Sequence, residues 1–369
     1  MNDEFFSPSF GNKPQKLIGR TEEMNKLRSA LASKPGSKER ATLIIGQRGL
    51  GKTVLLLELY DIAHRSGFIT AFPTVVNRNM LDRINEKLLQ DGKDVLSENK
   101  RHLVGGSIGV FGISLGDQLE ESNGSKPSFE YMLEQICREA EKHGKGILIL
   151  IDEIRANDEE LKQLIIAYQE LVGKGANIAL IMAGLPSAVS ETLNNPVLTF
   201  LNRASRIKLE PIRIADISAY YYQCFQKIGL KMDLMAVQRA ANETKGSPYM
   251  MQLIGHYLTL YVDDTGRIDD ITTELALSAA KTEYMNDICG AALHGTSVKD
   301  REFLCAMLKD PVQSRMKELA ERMQVSNSHV QTYKKRLIDA GIIKQIERGI
   351  ICYDVPMLHE YLTEHYMSA

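Results

Sequence analysis

The sequence predicts a three-layer α/β core with a parallel sheet, then a helical segment, then a small helix-turn-helix unit with a β-wing. Three observations carry this reading. Gly46-Gln47-Arg48-Gly49-Leu50-Gly51-Lys52-Thr53 fits the phosphate-loop pattern G-x-x-x-x-G-K-[ST] at every fixed position, between an apolar run and a helix-forming run. Up to residue 211, apolar runs alternate with helical patterns, the rhythm of parallel strands joined by crossover helices. From Ile212 the spacing turns helical, until two strand-like runs appear near the C-terminus.

Composition sets the limits. A chain of 369 residues has room for two or three domains. A formal net charge of −2 gives no whole-chain field for nucleic acid or membrane, so any DNA contact must be a local patch. The five cysteines (Cys137, Cys224, Cys289, Cys305, Cys352) are scattered without a C-x-x-C pair and read as reduced core residues of a cytoplasmic protein. No tight His/Cys cluster suggests a structural transition metal. No apolar run approaches ~18 residues, and the acidic start lacks the pattern of a secretory signal, so no membrane partner is expected.

Residues 1–16, with their prolines, Ser and Asn, read as a loosely held N-terminal arm. In Leu17-Ile18-Gly19-Arg20-Thr21-Glu22-Glu23, Thr21 is a suitable N-cap for a helix carrying Met24, Leu27, Ala30 and Leu31 on one face. Ala41 to Ile45 is the buried strand before the phosphate loop, and Val54 to Tyr60 the helix after it. Glycines at 46, 49 and 51 permit backbone angles that turn successive N–H groups inward, toward a polyanion at a helix N-terminus. Gln47, Arg48, Leu50 and Val54 complete the cradle. Lys52 reaches the β- and γ-phosphates of ATP or ADP, and the Thr53 hydroxyl ligates Mg²⁺. The bland alternative, a glycine-rich turn before a helix, has to explain spacing, Lys-Thr and flanking elements together.

Ile69 to Val76 reads as a strand and Met80 to Leu89 as a helix. Residues 103–115 alternate glycine with apolar residues, which suggests a hairpin or surface flap. Phe129 to Glu141 is an amphipathic helix. Ile147 to Ile151 is a buried strand that ends in Asp152-Glu153. Asp152 is suited to the Mg²⁺ shell, and Glu153 to orienting and deprotonating a water. A helix at Leu161 to Val172, a strand at Asn177 to Ala183 and a strand at Ile207-Lys208-Leu209 complete the core, expected over residues 17–211. Helices alone are expected over 212–290: Ala215 to Ile228, Asp233 to Thr244, Pro248 to Tyr261 and Thr272 to Cys289. Ser247-Pro248 forms a clear helix start.

Residues 297–369 read as a winged helix-turn-helix. Helices Asp300 to Met307, Met316 to Met323 and Ser328 to Ala340 precede two strands, Ile342 to Ile346 and Ile350 to Tyr353. The third helix is the one that would enter a major groove of duplex DNA. Ser328, His329, Gln331 and Thr332 offer hydrogen-bond groups. Lys334, Lys335 and Arg336 suit phosphates, with Lys344 and Arg348 on the wing. The unit carries eleven Lys/Arg against ten Asp/Glu, a net of +1, so one copy should bind DNA weakly and with strong salt dependence. The same architecture also serves protein contacts.

From Leu17 onward the chain resembles the initiator-type, origin-recognition-like branch of the AAA+ ATPases, and the related STAND signal-transduction ATPases. The resemblance implies an α/β ATPase, a helical lid and a C-terminal winged helix. It implies that Ile18 and Arg20 lie near the adenine, and that Gly246-Ser247-Pro248 is the lid motif, with Pro248 at the nucleotide. It implies that Arg206, or Arg203, reaches a neighbouring subunit's nucleotide, hence self-association. Ala183-Gly184-Leu185-Pro186-Ser187 stands where the AAA+ pattern has a polar sensor, and Gly246-Ser247-Pro248 stands where initiator lids supply an arginine to the γ-phosphate, which implies slow or partner-stimulated hydrolysis. The leading expectation is an ATP-controlled DNA-binding switch. The rival is a STAND-type scaffold, or a transcription regulator, whose winged helix makes protein contacts.

Overall fold

The computed structural model describes residues 5–8, 13–72, 79–96, 127–155 and 158–366. The segment 103–115, read above as a flap, lies outside the described residues.

The core is a parallel sheet of β1 (Ala41–Ile45), β2 (Phe68–Ala71), β3 (Gly146–Ile151), β4 (Ile178–Gly184) and β5 (Ser205–Lys208). Its order is β2-β3-β4-β1-β5. Every residue of β3 and β4 is buried, which explains their continuous apolar runs: helices cover both faces, so neither face selects polar residues. Helices α1 (Thr21–Ala32), α2 (Lys52–Arg65), α3 (Met80–Asp91), α4 (Phe129–Lys142), α5 (Glu159–Gly173) and α6 (Pro186–Leu193) belong to this part. One layer of core packs Leu27, Leu55 and Leu59 on Ile44, Leu148 and Ile181. The opposite layer packs Ile84, Leu133 and Leu164 on Leu43, Ile149 and Leu180. Helix α6 was not foreseen. Its Pro186 sits in the first turn, where a missing N–H costs nothing.

The next segment holds α7 (Ile214–Lys227), α8 (Leu234–Glu243), α9 (Pro248–Tyr261) and α10 (Asp270–Tyr284). It is not helical throughout: β6 (Lys231–Met232) and β7 (Arg267–Ile268) form a short parallel pair. Ser247 caps α9 by accepting the Met250 N–H, with Pro248 in the first turn. Helix α10 does not run on as α-helix to Cys289. It passes into a π-helical turn, Met285–Gly290.

The N-terminal arm departs from expectation. Its described residues 5–8 are pinned, not loose. Phe6 is 2 % exposed and enters the core formed by Tyr220, Tyr221 and Phe225. Tyr220 donates its hydroxyl to the Phe5 carbonyl at 3.0 Å. Two adjacent phenylalanines in a short polar segment show no period, so the burial of Phe6 is invisible to pattern.

The C-terminal part contains α11 (Val298–Met307), β8 (Ser314–Arg315), α12 (Met316–Met323), α13 (Asn327–Asp339), β9 (Ile343–Glu347), β10 (Ile350–Tyr353) and α14 (Leu358–Tyr366). Strand β8, between α11 and α12, joins the two strands that follow α13 in an antiparallel sheet of order β8-β10-β9. Ser297 and Asp300 form a reciprocal capping box at the start of α11. The core of this unit draws in Cys289, Ala292 and Leu293, ahead of the boundary expected at Ser297. Strand β8 and helix α14 were not foreseen. Two residues are too few to show a period of two, and α14 follows its strand across a short turn.

Candidate nucleotide site

The loop between β1 and α2 forms where three constraints meet. Strand β1 ends at Ile45, Gly51 caps α2 in a left-handed conformation (φ 83°), and Gly49 is left-handed too (φ 78°). Both angles suit glycine and strain other residues. Lys52 folds back over the loop, its Nζ donating to the carbonyls of Gly46 and Gln47 at 2.9 Å each. Burial lowers the Lys52 ammonium to about 8, against the pull of Asp152 and Glu153, with Arg48 adding to the decrease.

Asp152 stands at the carboxyl end of β3. Thr53 Oγ1 donates to Asp152 Oδ2 at 2.5 Å, and the Glu153 N–H donates to Asp152 Oδ1 at 2.9 Å. Burial raises the Asp152 carboxyl, with these two hydrogen bonds opposing it. Glu153 holds a left-handed backbone (φ 52°), a conformation uncommon outside glycine. A hydroxyl and a carboxylate brought within bonding reach are hard oxygen donors of the kind Mg²⁺ takes, usually with several waters retained.

A cavity of about 880 Å³ opens over this loop. Arg48, Gly49, Leu50, Gly51, Lys52, Thr53, Val54, Asp152 and Glu153 line it, as do Ile18, Arg20 and Pro248. Gly46 and Gln47 face a second cavity of about 360 Å³ instead, together with Lys208, Ser247 and Lys344. Arg20 is 3 % exposed and braces the loop: its Nη2 donates to the Leu50 carbonyl at 3.2 Å, and its Nη1 lies 3.5 Å from Glu23. Burial lowers its guanidinium, with Glu23 opposing. Arg203, at the end of the 3₁₀ turn Thr199–Arg203, and Arg206, on edge strand β5, are exposed and line neither cavity.

The residues expected on DNA divide. Ser328, His329, Gln331, Thr332 and Arg348 are exposed, and Lys334 is half-buried. Ser328 Oγ lies 2.8 Å from Ser326 Oγ, and Thr332 Oγ1 donates to the Ser328 carbonyl at 3.1 Å. Arg336 is engaged within the chain: it donates to Asp300 Oδ1 from Nη2 at 2.6 Å and from Nε at 3.2 Å. Lys344 pairs with Asp354 at 3.0 Å. Lys335 lines the large cavity together with Asp339 and Ala340. Lys335, Asp339 and Ala340 thus share a cavity lining with the phosphate loop, while Arg336 and Leu337 of the same helix turn elsewhere. Helical spacing shows which residues share a face, not what that face meets.

Other residues of this cavity carried no motif. Tyr249 hydrogen-bonds Asp287 of the π-helical turn, and both line the cavity with Gln252. Burial, then the bond to Asp287, raises the Tyr249 hydroxyl.

Residues 16–181 match the AAA ATPase domain family. Residues 286–362 match a domain of unknown function, DUF8462. Comparison with curated proteins gave no match. Among solved structures, a Walker-type ATPase of Pyrococcus abyssi superposes with a TM-score of 0.63 at 15 % identity, over 96 % of this chain and 99 % of that one. The Aeropyrum pernix ORC2 protein, in its ADPNP–ADP complexes, gives 0.63 at 14 % identity, over 98 % of each chain. The Aeropyrum pernix ORC1 protein in complex with DNA gives 0.51 at 16 % identity, over 99 % of this chain and 98 % of that one. The fold is an α/β P-loop NTPase fold, similar to that of these solved structures.

Proposed function

We propose that this chain is an ATP-hydrolysing switch that binds duplex DNA through its C-terminal unit. One observation carries the reading: Lys52, Thr53, Asp152 and Glu153 of the ATPase part, Pro248 of the lid and Lys335 of α13 line the same cavity. A triphosphate at the loop is therefore felt by the lid and by α13 together. The loop N–H groups and Lys52 bind the phosphates. Thr53 and Asp152 hold Mg²⁺, which, when bound, neutralises charge on the phosphates. Glu153 orients the attacking water and takes its proton. Arg206 or Arg203, exposed at the sheet edge, is available to a neighbouring subunit's nucleotide.

Helix α13 reads DNA with its exposed N-terminal half, Ser328 to Thr332, with Lys334 and Arg348 on phosphates. Lys335 and Asp339 of its other half line the cavity, so nucleotide state sets whether the helix is free for a groove. The ORC1 structure in complex with DNA supports this reading by its fold. The bonds that engage Arg336 and Lys344 within the chain favour the second reading, a unit that makes protein contacts. ATP turnover, particle mass and duplex retention, each measured with and without the other ligand, discriminate the two. A DNA switch shows nucleotide-dependent retention that weakens steeply with salt. Retention that ignores nucleotide, at every salt concentration, removes the first reading.

A further inference from the structure

Arg48 occupies the phosphate loop between Gly46 and the left-handed Gly49. It is half-buried and lines the large cavity beside Lys52. It also lines the smaller cavity, so it stands where the two adjoin. Its Nε is shut away from solvent, whereas Nη1 and Nη2 keep accessible surface. The side chain has no hydrogen-bond or ion-pair partner among the described residues.

Arg20 and Lys52, its neighbours in this wall, are already engaged. Arg20 donates to the Leu50 carbonyl and lies against Glu23. Lys52 donates to the carbonyls of Gly46 and Gln47. Asp152 bonds Thr53 and the Glu153 N–H rather than either cation of the loop. The charge of Arg48 is nonetheless felt at Lys52, where it opposes Asp152 and Glu153 and helps to lower the ammonium. The charged end of Arg48 therefore lies within electrostatic reach of that ammonium, and the two cations repel. An unpaired charge drawn partly out of water is costly, and an anion held beside both cations removes the cost.

The first turn of α2 offers its N–H groups to the phosphate nearest the helix, and Lys52 spans the β- and γ-phosphates. Arg48 precedes that turn, ahead of both left-handed glycines. Its guanidinium is a planar fork that matches the oxygens of a terminal phosphate in pairs. We propose that Arg48 reads the γ-phosphate, so that the loop itself distinguishes ATP from ADP. This rests on the nucleotide site proposed above. The Nη groups meet the terminal oxygens of ATP, and ADP leaves them unpaired. Hydrolysis then withdraws the partner, and Arg48 contributes nothing to holding bound ADP. A neighbour's Arg206 or Arg203 would act only in an assembly, whereas Arg48 acts within one chain.

The test uses the full chain with Mg²⁺ and two probes, ADP and the imido analogue ADPNP, which is not hydrolysed. The readout is the ratio of their dissociation constants by titration calorimetry. Arg48→Ala should weaken ADPNP by at least about tenfold and leave ADP within about twofold, so the ratio falls by a similar factor. Arg48→Lys keeps the charge and loses the fork, and guards against an alanine variant that fails to fold. It should keep ADP affinity and lose part of the ratio. A ratio unchanged in both variants overturns the proposal, as a guanidinium turned to the smaller cavity would give. Equal loss of both nucleotides in both variants overturns it too, because Arg48 would then hold the loop and not the γ-phosphate. Lys52→Ala separates the two levels: if it binds both probes like wild type, the nucleotide site itself is wrong. If binding depends on Lys52 and only the ratio ignores Arg48, the γ-phosphate reading alone falls.

Discussion

Thr53 and Asp152 lie 99 positions apart and share a 2.5 Å hydrogen bond. The first turn of α2 and the carboxyl end of β3 meet there, at the carboxyl ends of the strands, where ligands of parallel α/β folds bind. A divalent cation would take both oxygens. Thr53→Val and Asp152→Asn should each abolish the gain in ATP affinity that Mg²⁺ brings, a loss of at least about tenfold. Titration calorimetry with Mg²⁺ and with a chelator reads it. An unchanged Mg²⁺ effect in both variants would remove the assignment.

Lys52 and Glu153 should separate binding from chemistry. Lys52→Ala loses measurable ATP binding. Glu153→Gln keeps affinity within about twofold and slows turnover by roughly 10²- to 10⁴-fold, the usual contribution of a positioned base. Phosphate release under saturating ATP checks the second. Near-normal turnover would exclude Glu153 as the base.

Lys334 and Lys335 adjoin in sequence yet should give different phenotypes. Lys334→Ala should weaken duplex binding and reduce the salt slope by about one. Lys335→Ala, at the cavity, should change ATP affinity instead. Salt-series filter binding and nucleotide titration on both variants decide it; identical effects would place both on the same ligand.

Arg336 serves the fold, and its partner adds a pH dependence. Burial alone would raise the Asp300 carboxyl, but hydrogen bonds from Ser297 and Arg336 outweigh it and hold the group below the ordinary carboxylate value. A depressed carboxylate stabilises the fold above its unfolded value, and that contribution fades as pH falls through the folded one. Arg336→Ala should cost about 1–2 kcal/mol at neutral pH, discounted because its side chain is half-exposed. The difference from wild type should shrink below about pH 4. Denaturant melts at pH 7 and pH 3 measure it; an equal difference at both would exclude Asp300 as the titrating partner.

Phe6→Ala should cost about 3–5 kcal/mol, as loss of a buried aromatic does. Gly255→Ala should cost about 1–3 kcal/mol, because its methyl would meet the Phe6 ring at 2.2 Å. The double variant should be less destabilised than the sum, since removal of the ring removes the clash. Strict additivity in equilibrium unfolding would contradict the contact.

The sheet was legible because its strands are buried on both faces, so burial writes itself as uninterrupted apolar runs at 147–151 and 178–183. The phosphate loop was legible because its chemistry is local: glycine angles, Lys and Thr act within eight residues. Asp152-Glu153 gained meaning only from that loop upstream. Helices α6 and α14 and the π-turn at Met285–Gly290 were not legible, because short elements leave too few residues to show a period.

From composition and spacing alone came the class of fold, the phosphate loop and the acidic strand end, because each depends on neighbours within a turn or a strand. Folding settled which partners those residues meet. It pinned Phe6 among Tyr220, Tyr221 and Phe225, bonded Arg336 to Asp300, put Lys335 in the lining of the large cavity and set the Gln252 Oε1 on the Ser7 N–H. These are contacts between distant segments. A side chain's type says what it is able to bond, and only the packing of whole elements sets what stands within 3 Å of it.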